Sequence, residues 1–203
     1  MRNLNLFFWM ALLSMNLSAQ TWTSYTSSNS NLPDNEVLAL SIDIQGNLWV
    51  GTWYGGLARF DFSNWLVYNT SNSGLPDNYI WDISPVAQNS IWMGTRLGGL
   101  AQYDGNTWNV FDSQNSALTG DNILALDIDR LDKKWVGVYN EVLFSFDGTN
   151  WANYTAANSS LPNDIVTCIA PLNRPPPLAI ARSHSCSWFP GNKARRASCF
   201  GAG

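Results

Sequence analysis

Tryptophan recurs at one fixed interval along this 203-residue chain, and that interval limits what the chain can fold into. Two series advance by 43 residues without drift: Trp22, Trp65, Trp108 and Trp151 form one, and Trp49, Trp92 and Trp135 form the other. A constant period of this length indicates one supersecondary unit copied several times, with each copy burying an apolar face against the next. The sequence therefore predicts a repeat architecture in which these tryptophans pack in the core.

Each unit has the pattern of four short β-strands. In the first unit the apolar and β-branched runs are Val37–Asp43, Leu48–Thr52, Leu57–Phe60 and Trp65–Tyr68. Clusters of Gly, Asn, Asp and Ser separate these runs, as expected for turns between strands. Four strands in one such period is the content of a β-propeller blade. The sequence therefore predicts an all-β fold of four-stranded antiparallel propeller blades, incomplete at about three blades plus flanking strands.

The first 20 residues are predicted to form a secretory signal peptide. Arg2 supplies a positive start, the stretch from Leu4 to Leu17 is mostly apolar, and small Ala19 precedes a cleavage site at Gln20. An uncleaved anchor is the alternative, although the stretch is short for a membrane span. We expect the mature chain to contain no membrane span and to lie in the bacterial periplasm or outside the cell.

Charge separates the repeats from the end of the chain. Residues 21–170 hold 5 basic and 15 acidic side chains, a balance of −10. A surface this acidic disfavours nucleic acid or an anionic membrane as partner. It suits a soluble exported domain.

Residues 171–203 have a different composition from the repeats. They contain no acidic residue, five of the nine prolines and two of the three cysteines, and Leu178 stands where the next periodic tryptophan would fall. A frameshift near codon 171 would produce this change; a genuine disordered tail and a functional basic segment are the alternatives. We therefore divide the chain into a signal peptide (1–20), propeller repeats (21–170) and an aberrant or disordered tail (171–203).

About three blades would leave the propeller ring open, since propellers typically have 4–8 blades. An open arc exposes one face of each terminal blade. The expected partners therefore include a second copy of the chain, by self-assembly, or the missing propeller blades.

One motif carries a resemblance to a known family. Leu48–Asp61 reads Leu-Trp-Val-Gly-Thr-x-x-Gly-Gly-Leu-Ala-Arg-Phe-Asp, and Trp65-x-x-Tyr68 and Asn-Ser-Gly-Leu-Pro-Asp at 72–77 follow it. This combination resembles the two-component regulator propeller repeat, which builds the periplasmic sensor region of bacterial hybrid two-component systems and also occurs in secreted propeller proteins. The resemblance covers about residues 22–170.

The third unit departs from this motif. Val138 replaces the threonine found at 52 and 95, and Glu141-Val142 replaces the paired glycines at 55–56 and 98–99. We therefore expect the turn between the second and third strands to differ in the third blade.

The resemblance implies a strand order, with the first strand of each unit (A) innermost and the fourth (D) outermost. The chain would then begin with a lone strand D at Trp22–Tyr25, and the D–A and B–C loops would emerge on one face. The Asn-rich D–A loops, such as 29–35, are nearly identical between units, which favours a structural role in capping the backbone over ligand contact.

The B–C turns vary while the sequence around them is fixed. Exposed aromatic side chains and an arginine in such turns suit stacking on sugars or holding a carboxylate. Ordinary solvent-facing loops are the alternative. The predicted ligand-binding residues are Trp53, Tyr54, Arg96, Tyr139 and Asn140.

Catalytic motifs are absent from the sequence. The only histidine, His184, lies outside the repeats, and no phosphate loop, nucleophile elbow or zinc motif is present. Asp127, Asp129 and Asp132 resemble a cation site in spacing only, so we predict no metal and no cofactor.

The resemblance implies an exported, non-catalytic module that senses or binds an extracellular ligand, with carbohydrate as a candidate. A secreted scaffold or adhesion protein and a propeller lyase or hydrolase are the alternatives.

Overall fold

A computed structural model describes residues 21–86, 90–140, 142–162, 164–170 and 179–181, and the predicted signal peptide and most of the predicted tail lie outside these ranges. The described residues form strands and turns without a helix. The strands are β1 (Val37–Ile42), β2 (Leu48–Thr52), β3 (Leu57–Phe60), β4 (Trp65–Tyr68), β5 (Ile80–Pro85), β6 (Ile91–Thr95), β7 (Leu100–Tyr103), β8 (Trp108–Phe111), β9 (Ile123–Ile128), β10 (Lys134–Val138), β11 (Leu143–Phe146), β12 (Trp151–Tyr154), β13 (Cys168–Ala170) and β14 (Ala179–Ala181).

The strands form three four-stranded antiparallel sheets, ordered β1-β2-β3-β4, β5-β6-β7-β8 and β9-β10-β11-β12. The first strands lie side by side: β1 packs against β5, β5 against β9, and β9 against β13. This arrangement is that of propeller blades around an axis, with the first strand of each blade innermost. The predicted fold class of all-β propeller blades is therefore confirmed.

The core lies between the blades. Leu57 of the first blade and Ile80, Ile83 and Met93 of the second are buried in one apolar cluster, to which Trp49 also belongs. The next interface repeats this packing. Its buried members are Trp92, Leu100, Leu118, Ile123, Leu126, Val136, Val138, Phe144 and Phe146. Burial of apolar surface between neighbouring blades therefore holds the arc together.

Aromatic rings connect the outer strands of neighbouring blades. In each blade a ring of the third strand stacks on the tryptophan that begins the fourth: Phe60 on Trp65, Tyr103 on Trp108 and Phe146 on Trp151. A ring from the preceding unit meets each pair at a centroid distance of 5.1 Å, and these rings are Tyr25, Tyr68 and Phe111. The same contact in three units explains why aromatic residues recur at these positions.

Trp22 differs from the other periodic tryptophans. It is 90% exposed, and residues 21–26 form no strand. A strand needs a neighbour to pair with its N–H and C=O groups. Within the described ranges, no strand pairs with residues 21–26. The predicted packing of Trp22 and the predicted lone strand at Trp22–Tyr25 are therefore wrong, although Tyr25 does pack on Phe60.

The predicted tail contains one described element. β14 (Ala179–Ala181) pairs antiparallel with β13 (Cys168–Ala170), at the place where the second strand of a fourth blade would lie. The sequence predicts no such strand, because the motif of the second strand is missing there. Pairing between strands uses main-chain groups, so it does not require that motif.

The B–C turn of the first two blades depends on a buried threonine and a glycine. The Thr52 hydroxyl donates to the carbonyl of Gly56 (2.8 Å) and accepts from the N–H of Gly55 (3.1 Å). Thr95 makes the same two bonds in the second blade. In the B–C turn of the third blade, Asn140 has a positive φ (55°). The turn therefore differs there, as predicted, since Val138 has no hydroxyl to form these bonds.

An aspartate organises each C–D turn. The carboxylate of Asp104 accepts from the N–H of Asn106 (2.8 Å), the N–H of Thr107 (2.8 Å) and the Thr107 hydroxyl (2.7 Å). Asp61 and Asp147 make the corresponding bonds to main-chain N–H groups in the first and third blades. These aspartates explain why the same turn recurs in every unit.

The carboxyl of Asp104 is expected to titrate near pH 2. Hydrogen bonds from the N–H and hydroxyl of Thr107 and the N–H of Asn106 lower its pKa to about 2. Because this pKa lies below the unfolded value of about 3.9, the stabilisation is present above that pH and is lost as the pH falls towards 2. An NMR titration of the side-chain carbon measures the midpoint. Thr107→Val removes the hydroxyl donor and should raise it, and a wild-type midpoint near 4 would contradict the prediction.

Candidate functional site

The D–A loops and B–C turns meet at one end of the blades. Asp34 of a D–A loop accepts the N–H of Tyr54 in the B–C turn (3.0 Å), and Asp77 accepts the N–H of Leu97 (2.8 Å). A further bond runs from the N–H of Gly56 to the carbonyl of Asn78 in the following unit (3.0 Å). The turns of the first two blades are therefore held on one loop face, as the predicted strand order requires.

The D–A loops are held by their own side chains. Asn29, Asn72, Asn115 and Asn158 each accept a main-chain N–H three residues earlier, at 2.6–3.0 Å. Four serines in the same loops donate to a carbonyl four residues earlier. The near identity of these loops is thus explained by structure, and they form a rigid support for the turns beside them.

Five side chains form an aromatic cluster on this loop face: Trp53, Tyr54, Tyr79, Trp81 and Arg96. Tyr79 is central, with ring centroids 4.7 Å from Trp53, 4.6 Å from Trp81 and 6.1 Å from Tyr54. Tyr79 is 3% exposed, whereas Tyr54 is 67% exposed. The cluster therefore combines a buried aromatic base with a ring that is open to solvent.

Two polar side chains contact the rings of the cluster: Arg96, which belongs to it, and Asn122, which lies beside it. The guanidinium of Arg96 lies 5.3 Å from the centre of the Tyr79 ring, within the range of a cation–π contact. Burial raises the pKa of the Tyr79 hydroxyl, although the charge of Arg96 opposes the rise. The indole N–H of Trp81 donates to the Asn122 side chain of the third blade (3.0 Å). This bond fixes the Trp81 ring across the blade interface.

The structure brings three of the five predicted ligand-binding residues together. Trp53, Tyr54 and Arg96 all contact Tyr79. Tyr139 and Asn140 are exposed, and the N–H of Tyr139 donates to the carbonyl of Asn122 (2.8 Å). Within the described ranges, no ring pair joins Tyr139 to the aromatic cluster.

Tyr79 and Trp81 are missing from the sequence prediction. The sequence contains a signal for them, because the other full units carry Glu36 and Leu38, or Asn122 and Leu124, at these repeat positions. Aromatic residues that break the repeat in one unit have no packing role shared with the other units. Variation between the units, which selected the B–C turns, thus also marks Trp81 in strand β5 and Tyr79 just before it.

The opposite end of the blades contains two cavities. One, of about 550 Å³, lies between the second and third blades and is lined by Trp92, Gln102, Ile128, Arg130 and Lys134 among others. The other, of about 150 Å³, lies between the first and second blades. No group of three His, Cys, Asp or Glu side chains suited to a metal ion occurs among the described residues.

Comparison with solved structures gives similarities to bacterial extracellular and surface proteins. The extracellular domain of BT3049 from B. thetaiotaomicron, described as a hybrid two component system, is 21% identical over 66% of this chain and 20% of that chain, with a TM-score of 0.58. PorZ, a surface component of the type-IX secretion system of Porphyromonas gingivalis, is 21% identical over 55% of this chain and 17% of that chain, with a TM-score of 0.44.

The first of these similarities shows a shared fold. The match covers about a fifth of the length of each of these two structures. A comparison with curated proteins gives no match. In the described ranges, no helix has the length and apolar character needed to cross a membrane.

A family model described as two component regulator propeller matches residues 31–54 and 74–96. Each matched segment runs from a D–A loop through the first two strands of a blade to its B–C turn. The corresponding segment of the third blade lies outside the match, where Gly120 and Val138 replace the Asp and Thr that hold the turn in the first two blades. The first and second blades thus each match the two component regulator propeller repeat, which is the repeat that the sequence motif resembles.

Proposed function

We propose that this chain is an exported, non-catalytic propeller module that binds an extracellular saccharide at the aromatic cluster. The observation that carries the proposal is the exposed Tyr54 ring beside Trp53, supported from below by buried Tyr79. Aromatic faces at a protein surface stack on the apolar faces of sugar rings, and a nearby arginine can donate to hydroxyl or carboxylate oxygens. The similarity to extracellular domains of two component systems supports an exported location and a sensing role.

Rigidity of the cluster supports binding over a structural role alone. The main chain of Tyr54 is fixed by Asp34, and the Trp81 ring is fixed by Asn122. A binding site whose side chains are already held in place loses little conformational entropy when a ligand binds. Tyr54 itself is not needed to fill the interior, since most of its surface faces solvent.

Replacement of Tyr54 or Trp53 by alanine is expected to weaken saccharide binding roughly 5-fold or more. Loss of one stacking ring removes about 1 kcal/mol or more of binding energy. A glycan array screened with the wild-type chain identifies a saccharide, and isothermal titration calorimetry then compares the affinities of the variants for it. Arg96→Gln should weaken binding most for saccharides that carry a carboxylate.

Leu97→Ala is the matched control for Tyr54→Ala. Leu97 occupies the repeat position of Tyr54 in the second blade and is also exposed, but it lies outside the aromatic cluster. Its replacement should leave the affinity unchanged. Full affinity in both the Trp53→Ala and Tyr54→Ala variants would refute the proposed site.

A further inference from the structure

The smaller cavity, at the end opposite the aromatic cluster, is lined by a positively charged side chain, that of Arg59. It has a volume of about 150 Å³ and lies between the first and second blades. Its lining residues are Asp43, Trp49, Arg59, Tyr68, Ser90, Ile91, Tyr103 and Gly105. Arg59 on strand β3 supplies the positive charge, and its guanidinium lies 6.0 Å from the centre of the Trp49 ring.

The Nε–H of Arg59 lacks a hydrogen-bond partner. It is the only buried side-chain nitrogen or oxygen without one in the described part of the chain. Arg59 also forms no ion pair with a described carboxylate, since the one pair found there joins Lys134 and Asp132. Buried donors of charged groups are normally paired, because an unpaired one costs about 1–3 kcal/mol or more. Arg59 also lines the cavity, so its guanidinium has room to meet an external acceptor there.

Ser90 provides a second donor in the same cavity. Its hydroxyl oxygen accepts from the side-chain amide of Gln102 (2.9 Å), so its own proton is available to donate. The two neighbouring phenol hydroxyls already have hydrogen-bond partners. The Tyr103 hydroxyl donates to the carbonyl of Gly105 (2.7 Å), and Tyr68 is hydrogen-bonded to Tyr103. Burial raises the pKa of Tyr68, which keeps the phenol neutral beside the cavity.

Asp43 is the acidic residue of the cavity wall, and other groups occupy its oxygens. Its carboxylate accepts from the N–H groups of Gln45 and Asn47, from the Asn47 side-chain amide and from the Trp49 indole, at 2.8–3.0 Å. It therefore holds the turn between β1 and β2 and does not pair with Arg59. Among the described residues, the guanidinium of Arg59 thus forms no ion pair, and its Nε–H has no hydrogen-bond partner.

We propose that this cavity binds a small carboxylate, with the guanidinium of Arg59 and the hydroxyl of Ser90 as its donors. The planar guanidinium presents N–H groups in a fork that matches the two oxygens of a carboxylate. At about 30 Å³ for each water, the cavity holds the volume of about five waters. This space suits a compound of the size of glycolate. The site is separate from the aromatic cluster, so it goes beyond the proposed saccharide binding.

A two-dimensional NMR titration of the full chain with sodium glycolate tests this proposal. Saturable shifts are expected for the indole N–H of Trp49 and the main-chain N–H groups of Ser90 and Ile91. Glycolamide, which has the same shape without the charge, should bind at least about 10-fold more weakly, since hydrogen bonds to a charged group are stronger than neutral ones.

Arg59→Gln should weaken glycolate binding roughly 10-fold or more. Glutamine is the residue that the second blade carries at this repeat position, namely Gln102, so the strand is expected to tolerate it. Ser90→Ala removes the second donor and should weaken binding several-fold. Arg59→Lys keeps the charge but loses the fork, so its affinity should lie between wild type and Arg59→Gln.

Lys133→Gln is the matched control. The ammonium of Lys133 lies 5.7 Å from the centre of the Trp135 ring, which reproduces the cation–tryptophan contact of Arg59 away from this cavity. Glycolate affinity should be unchanged in this variant.

Three results would overturn the proposal: no saturable shifts in the wild-type chain, equal affinity for glycolate and glycolamide, or unchanged affinity in Arg59→Gln. If Arg59→Gln fails to fold, as shown by loss of spectral dispersion, the Arg59→Lys and Ser90→Ala variants decide the question instead.

Discussion

Leu126→Ala is expected to lower the free energy of unfolding by about 2–5 kcal/mol, whereas Leu40→Ala should change it by less than about 0.5 kcal/mol. The two leucines occupy the same repeat position, two units apart. Leu126 is 3% exposed because the second blade covers it, and Leu40 is 58% exposed on the first blade. The same substitution therefore opens a cavity at one site and removes a solvated side chain at the other.

Urea unfolding followed by tryptophan fluorescence measures both variants against the wild type. The dependence of the unfolding free energy on urea should be the same for all three chains, because neither change alters the surface exposed on unfolding by much. A loss of 2 kcal/mol or more in Leu40→Ala would contradict the expectation. It would mean that a second copy or further blades cover this face in solution, and a dependence of the loss on protein concentration would identify the second copy.

One face of the first blade is exposed, because no described blade packs against it. Leu40, Ile42 and Ile44 are all exposed there. In the later blades the preceding blade covers the corresponding side of strand A, so Ile83 and Leu126 are buried. The exposed side is the one at which the sequence predicts that a further blade or a second copy would dock. That contact remains a prediction.

Strand bounds follow closely from the sequence of this chain. β2, β3 and β4 begin and end at the predicted residues, and β1 ends at Ile42 instead of Asp43. The difference has a local cause. Asp43 turns its carboxylate back onto the N–H groups of Gln45 and Asn47 and onto the Trp49 indole. A residue that caps a turn in this way leaves the strand, and strand periodicity alone does not reveal it.

The candidate sites were less predictable than the strands. Trp53, Tyr54 and Arg96 are predicted from the variation of the B–C turns. Their common contact, Tyr79, lies in the second blade with Arg96, whereas Trp53 and Tyr54 lie in the first. Whether rings from two blades meet depends on the twist and spacing of the sheets, which the repeat period does not specify. The cavity beside Arg59 depends on the same spacing, so the sequence gives no indication of it.

Gly99→Ala is expected to lower the free energy of unfolding by about 2–5 kcal/mol, the second large effect in this chain. Gly99 has a φ of 74°, where alanine loses about 1–2 kcal/mol relative to glycine. An added Cβ would also lie 2.3 Å from the carbonyl oxygen of Phe111. Because that oxygen belongs to the main chain, the strand itself must move, which adds about 1–3 kcal/mol.

Gly148→Ala separates these two causes. Gly148 also has a positive φ, of 99°, but an added Cβ would meet no atom within 4 Å. This variant should therefore lose only the conformational part, about 1–2 kcal/mol, in the same urea experiment. Equal losses in the two variants would show that the B–C turn relaxes around the added methyl group. A larger loss in Gly99→Ala would show that close contact with Phe111 fixes the turn that carries Arg96.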